Sequence, residues 1–156
     1  MRSPAEGWIE LTAPSRDEYL DRIAELLDRL AGARLDQGTL EDVKLAVCEV
    51  VQNAMEWGNM NDARRKVRVS YGLFEDEIVL KVEDEGPGFD ASGVPDARAD
   101  PVELIRSSQR RSGKRLGGLG LFVARKLMDS VMFNEPGNVA LLTKRLRPVR
   151  PASEAM

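Results

Sequence analysis

The sequence predicts an α/β (α+β) two-layer sandwich, in which one mixed, mostly antiparallel sheet carries helices on one face. Three observations predict it. Stretches near residues 19–30, 39–58 and 119–130 carry apolar residues at helical spacing. Short alternating segments lie around them, joined by turns tight enough for antiparallel pairing. The composition is ordinary for a globular chain, with 42% apolar and 31% charged residues in a length of 156 that suits one domain with its own core. Residues 1–146 are expected to form that domain, and the tail over 147–156, with Pro148 and Pro151, is expected to be disordered.

In chain order, Trp8-Ile9-Glu10-Leu11 reads as a first strand, ended by Pro14. Ser15 with Glu18 is a capping-box pattern, and Tyr19, Leu20, Ile23, Leu26, Leu27 and Leu30 follow on one helical face until Gly32. Thr39 with Asp42 starts a second helix, with a stripe of Val43, Val47, Val50 and Ala54, that ends near Gly58–Asn59. A charged turn over 61–66 leads into alternating Val67, Val69 and Tyr71. Glu75-Asp76-Glu77 then makes a hairpin turn into Ile78, Val79, Leu80 and Val82. Residues 93–116 are rich in Asp, Ser, Arg and Gly and read as a long loop, which at this length is either a lid or disordered. A third helix over 119–130, a strand at Val131-Met132-Phe133, a Pro136–Gly137 turn and a last strand over 139–146 complete the chain.

Bulk properties narrow the function. A net charge of −3 gives no support to nucleic-acid or membrane-surface binding. Residues 1–7 hold no apolar signal core, and no stretch approaches membrane-spanning length. The single cysteine, Cys48, has no internal disulfide partner, which fits a reducing, cytoplasmic setting. The chain has no histidine. That removes Ser-His-Asp and Cys-His triads, most zinc sites and any phosphohistidine on this chain.

Three segments carry candidate chemistry. Glu49 and Asn53 stand one turn apart at the edge of the second helix's apolar stripe, with Asp42 and Glu56 on the same flank. A carboxylate and an amide there suit Mg²⁺, which takes oxygen ligands and keeps several waters; the plain alternative is a solvated helix flank. Asp84 follows an apolar strand and precedes Gly86, Pro87 and Gly88. Glycines let a ligand approach the backbone, and the aspartate could accept a hydrogen bond from an exocyclic amine such as adenine N6; the alternative is a turn that closes a strand. Gly117, Gly118 and Gly120 open a long helix whose free N–H groups and dipole make a phosphate seat, or else they form a hinge. The loop before them carries Arg98, Arg106, Arg110, Arg111, Lys114 and Arg115, a density that matches a lid over phosphates or simply solvated charge. Neither a Walker A pattern nor a Rossmann G-x-G-x-x-G is present.

Together these residues resemble the GHKL ATPase superfamily, with its Bergerat ATP-binding fold. Glu49-Val-Val-Gln-Asn53 with Gly58–Asn59 resembles the N box, Asp84-Glu85-Gly86-Pro87-Gly88-Phe89 the G1 box, and Gly118-Leu119-Gly120-Leu121 the G2 box. The resemblance covers nearly the whole chain, and short length with a compact lid makes it most similar to the anti-sigma-factor serine/threonine kinases of bacterial partner switches. It implies ATP and Mg²⁺ as cofactors. Glu49 would then be the general base toward a serine or threonine hydroxyl, and Asn53 the Mg²⁺ ligand. Asp84, Gly86 and Gly88 would lie at the adenine, and Gly117, Gly118, Leu119 and Gly120, with Lys114 and Arg115, at the phosphates.

The implied partners are a STAS-type anti-anti-sigma factor as substrate, a sigma factor and, by precedent in many members, a second copy in a homodimer. Two other functions stand beside this one: a nucleotide-binding module that sequesters a protein without phosphotransfer, and a histidine-kinase-like ATPase domain acting in trans. Two positions depart from the family pattern. Trp57 stands where a histidine is frequent, and Asn138-Val139-Ala140 stands where the last strand commonly has threonines.

Overall fold

The computed structural model describes residues 8–88 and 117–146. Five strands, β1 (Trp8–Pro14), β2 (Lys66–Leu73), β3 (Glu77–Glu83), β4 (Ser130–Phe133) and β5 (Val139–Arg145), form one sheet in the order β1-β2-β3-β5-β4. All four pairings are antiparallel, so the sheet expected to be mixed is antiparallel throughout among the described residues. Helices α1 (Leu20–Ala31), α2 (Gln37–Asn53) and α3 (Gly117–Leu127) complete the α/β arrangement. No helix among the described residues is long and apolar enough to cross a membrane.

The period-two pleat decides which side chains meet the helices. Leu11, Val69, Val82, Ala140 and Phe133 lie in one cross-strand row, and Tyr71, Leu80, Leu142 and Val131 in the next. These rows join Ile23, Leu27 and Ala31 of α1, Val43, Val47 and Val50 of α2, and Leu121 and Ala124 of α3 in a single apolar core. Each fully buried aliphatic side chain contributes about 1.5–3 kcal/mol of transfer energy, so this face sets the register of the sheet. The turn over 75–76 closes as expected, with Phe74 N–H donating to Glu77 O at 2.9 Å.

Two helix starts differ from their sequence signals. Ser15 does not cap α1. The chain enters through a 3₁₀ turn at Asp17–Tyr19 whose N-cap, Arg16, makes no side-chain capping bond, and Glu18 pairs with Arg16 at the surface. Ser15 is buried and bonded to distant backbone instead. The second helix begins before Thr39: Asp36 is the N-cap, and its carboxylate accepts from Thr39 N–H at 2.8 Å.

α2 ends in an unusual way. Its regular ladder gives way at Asn53 to a π turn, Ala54–Gly58, in which Asn59 N–H reaches back five residues to Ala54 O at 2.8 Å. Such wide turns occur mostly as isolated insertions, frequently at functional sites. Here the turn buries Met55, Gly58 and Asn59 together. Met60 and Asn61 follow with φ of 55° and 57°, a left-handed pair that reverses the chain toward β2.

Candidate functional site

Glu49 and Asn53 lie one turn apart on α2, as expected, with Glu49 half-buried and Asn53 buried. Gln52 donates to the Glu56 carboxylate at 3.1 Å, which occupies part of the polar flank beyond them. Cys48 stands next to Glu49 and is half-buried. Burial first, and the neighbouring Glu49 charge second, push its thiol up to about 11, so it stays protonated at neutral pH.

Asp84 stands directly after β3, where its backbone N–H donates to Asn138 O at 3.0 Å. Its Oδ1 accepts from Gly86 N–H at 2.8 Å, folding the carboxylate back over its own turn. Burial raises its pKa, while the Gly86 bond and then the charge of Arg65 pull the other way. A half-buried aspartate in such a turn retains a second carboxylate oxygen for a polar ligand group.

The glycines around Asp84 are fixed by contact. A Cβ on Gly58 would stand 2.4 Å from Asp84 Oδ2, and one on Gly86 would stand 1.7 Å from Gly58 O. The end of the α2 segment and the turn after β3 therefore touch backbone to backbone, a closeness only glycine permits. Gly88, at φ +88°, closes the far side, where a Cβ would stand 1.7 Å from Pro136 O in the β4–β5 connection. That connection is itself braced, since Asn134 Oδ1 accepts from Gly137 N–H at 2.9 Å and from Val139 N–H at 3.0 Å.

One amide ties these parts together. Asn59, with no exposed surface, donates from Nδ2 to Ser15 Oγ at 2.9 Å and to Lys66 O at 3.0 Å. Its Oδ1 accepts from Glu85 N–H at 2.8 Å. Ser15 Oγ–H donates to Arg65 O at 2.7 Å, and the Glu85 carboxylate accepts from Lys66 N–H.

The first two sequence segments are thus in direct contact. The third opens α3, whose Leu121 and Ala124, with Met128 just after the helix, share the core with Val47, Val50 and Val51 of α2, and Gly120 is buried there. Lys114, Arg115 and the rest of the segment 93–116, expected to be either a lid or disordered, lie outside the described residues, as do residues 147–156. Trp57 is half-buried within the π turn. At the other departure, Asn138 gives its carbonyl to the Asp84 turn, Ala140 faces the core, and Thr143, with Glu77, Asp129, Ser130 and Arg145, lines a separate polar cavity of about 530 Å³.

Sequence reasoning missed Ser15 and Glu85. The Ser15 bonds span 44 and 50 residues, so no local pattern signals them. Asn59 was in view beside Gly58, but its role as a junction was not.

The donor set suits a magnesium–nucleotide ligand. Among the described residues no three His, Cys, Asp or Glu side chains cluster as an all-protein metal cage. Asn53 offers an amide oxygen that would complete a coordination sphere supplied mostly by phosphates and water, with the Glu49 carboxylate one turn away.

Comparisons with known proteins agree with this geometry. Residues 13–144 match the family described as Histidine kinase-like ATPase domain. The serine-protein kinase RsbW of Bacillus subtilis is 32% identical over 154 residues, covering 96% of this chain and 92% of its own. That of Staphylococcus aureus is 31% identical over 152 residues, covering 91% and 89%. The counterpart in Oceanobacillus iheyensis is 29% identical over 147 residues, covering 88% and 85%. With most of its length matched and a glycine-walled aspartate set against the end of α2, the chain belongs to the histidine kinase-like ATPase domain family, among the serine-protein kinases of the RsbW type.

Proposed function

We propose that the chain transfers the γ-phosphoryl group of Mg-ATP to a serine or threonine hydroxyl of a STAS-type anti-anti-sigma protein, and that it alternately holds a sigma factor. The observation that carries this reading is the Asp84 carboxylate, half-buried and walled by Gly58 and Gly86 at the end of the helix that bears Glu49 and Asn53. A fixed acceptor between two bare backbones fits the flat edge of a base with an exocyclic amine.

Each residue then has a distinct task. Asp84 accepts from the adenine amine, and Gly86 and Gly88 let the base approach the turn. Asn53 gives an oxygen to the metal. Gly117, Gly118, Leu119 and Gly120 present backbone N–H groups at the start of α3, where the helix dipole favours anionic phosphates. Lys114 and Arg115 add cationic charge for the phosphates. Glu49 takes the proton of the attacking hydroxyl, a contribution of about 10²–10⁴ in rate for a placed general base. When bound, Mg²⁺ neutralises the charge that develops on the transferring phosphoryl group, so the protein contributes chiefly position and electrostatics. A cytoplasmic setting follows from such partners.

The test is incubation with Mg-ATP and the candidate STAS protein, followed by phosphosite mapping. Acid-stable phosphoserine or phosphothreonine is expected. Glu49→Ala is expected to lower labelling by about 10²-fold or more while nucleotide affinity persists. Wild-type protein that binds ATP but labels no partner would reduce the chain to a nucleotide-dependent sequestering module.

A further inference from the structure

We propose that Asn59, oriented by Ser15, is a positioning residue that sets the chain's preference for a purine bearing a 6-amine; this rests on the nucleotide reading above. Asn59 sits between the two walls of the Asp84 carboxylate. Its own neighbour in the chain, Gly58, packs against Asp84 Oδ2, and its side chain holds the N–H of Glu85, the residue after Asp84, at 2.8 Å. One buried group thus fixes both the surface on which the carboxylate rests and the backbone from which it projects.

The orientation of the amide is not free. Glu85 N–H can only donate and Lys66 O can only accept, so Oδ1 must face the first and Nδ2 the second. The remaining Nδ2 proton goes to Ser15 Oγ, whose own proton is committed to Arg65 O. Ser15 is 6% exposed and Asn59 0%, so no bulk water replaces either partner at low cost. Arg65, held through its carbonyl, also belongs to the residues whose charge reaches Asp84.

A shift in this network turns the Asp84 carboxylate relative to a base edge. The penalty falls on ligands that donate to it, because adenine offers an N6 amine where hypoxanthine offers an O6 acceptor. The decisive measurement is calorimetric affinity for ATP and for ITP on wild type, Ser15→Ala, Ser15→Thr, Asn59→Ala and Asp84→Ala, alongside thermal melts without nucleotide. Asn59→Ala is expected to weaken ATP binding about tenfold and Ser15→Ala about threefold, with ITP affinity changed less than about twofold. At saturating ATP the transfer rate is expected to stay within about twofold, so the effect appears in KM rather than kcat. Ser15→Thr, which keeps the hydroxyl, is expected to restore the ATP preference.

Melting temperatures that fall while the ATP-to-ITP ratio stays at the wild-type value would overturn the inference and leave Asn59 a spacer. Should Asn59→Ala fail to fold, the Ser15 pair decides alone. The two levels separate cleanly. If wild type binds neither nucleotide, or Asp84→Ala leaves ATP affinity intact, the nucleotide reading fails; if Asp84→Ala loses the preference and the Ser15 and Asn59 variants keep it, only this inference does.

Discussion

At its N-terminal end α2 begins with the Asp36 carboxylate accepting from both Thr39 N–H and Thr39 Oγ1 at 2.8 Å, and Gln37 donates to Glu41 one turn on. Lys44 stands 3.0 Å from Asp28 and 3.4 Å from Glu41 at the surface. At its C-terminal end the ladder widens into a π turn, Asn53, Gly58 and Asn59 are buried, and two non-glycine residues adopt left-handed conformations in succession. The first end obeys the local rules of helix construction: its cap and the Gln37–Glu41 bond span three and four residues, and the longer tie, Lys44 to Asp28, lies at the surface. The second breaks them, and bonds from Ser15, Lys66 and Glu85 hold the departure in place. Where local preference and tertiary contact conflict and the conflict is fully satisfied by hydrogen bonds, the site of function is the natural explanation.

Glycine substitutions give the widest contrast between the two ends. Gly86→Ala drives a Cβ into the carbonyl oxygen of Gly58, and neither side can rotate away. We expect a loss of about 2–4 kcal/mol in urea unfolding, together with ATP binding. Gly38→Ala, in the first turn of α2, meets only Asp36 Oδ1 at 3.4 Å. It is expected to stabilise by about 0.5–1 kcal/mol and to leave ATP affinity alone. Equal urea midpoints for the two variants would erase the contrast.

Removing the cap is the next step down. Asp36→Ala loses the side-chain bond to Thr39 N–H that caps the helix, and is expected to cost about 1 kcal/mol. Calorimetric ATP affinity at a temperature well below the melt is expected to be unchanged. A matching loss of affinity would mean that the two ends are coupled through α2 and not independent.

Most of the scaffold was legible in the sequence because its signals are local. The stripe Val43, Val47, Val50 and Ala54, the alternation Val67, Val69, Tyr71, and the turn at 75–77 each declare their element within a few residues. The Asp36 cap was equally local and was passed over for Thr39, although an aspartate three residues before a threonine N–H is itself a start signal. The π turn left no trace of its own, since five residues are too few to set a period. Ser15 was misread for a physical reason: its spacing to Glu18 matches a capping box, but the hydroxyl finds stronger company in the buried amide of Asn59. In the candidate site, Glu49, Asn53, Asp84, Gly86 and Gly88 were legible as residue types at family spacing. What the sequence could not express is that Gly58 and Gly86 are needed against each other.

The smallest expected effect is also the most specific to the C-terminal end. Burial raises the pKa of Asp84 in the folded chain, so its ionisation disfavours folding. Its contribution to stability is therefore largest below the ordinary carboxylate range and is lost as pH rises through its raised value. Asp84→Asn keeps an oxygen for Gly86 N–H but has no charge to bury. Without nucleotide, the variant is expected to melt on the order of 1–2 °C above wild type at neutral pH. As pH falls through that raised value toward the usual aspartate range, the gap is expected to close, because wild type becomes neutral there too. Comparing the two proteins at each pH cancels the other carboxylates. A gap that widens on acidification would mean the carboxylate is held by favourable charge rather than tolerated for its ligand. The same variant is expected to lose ATP preference, so a residue that weakens the free protein would be one that the bound nucleotide requires.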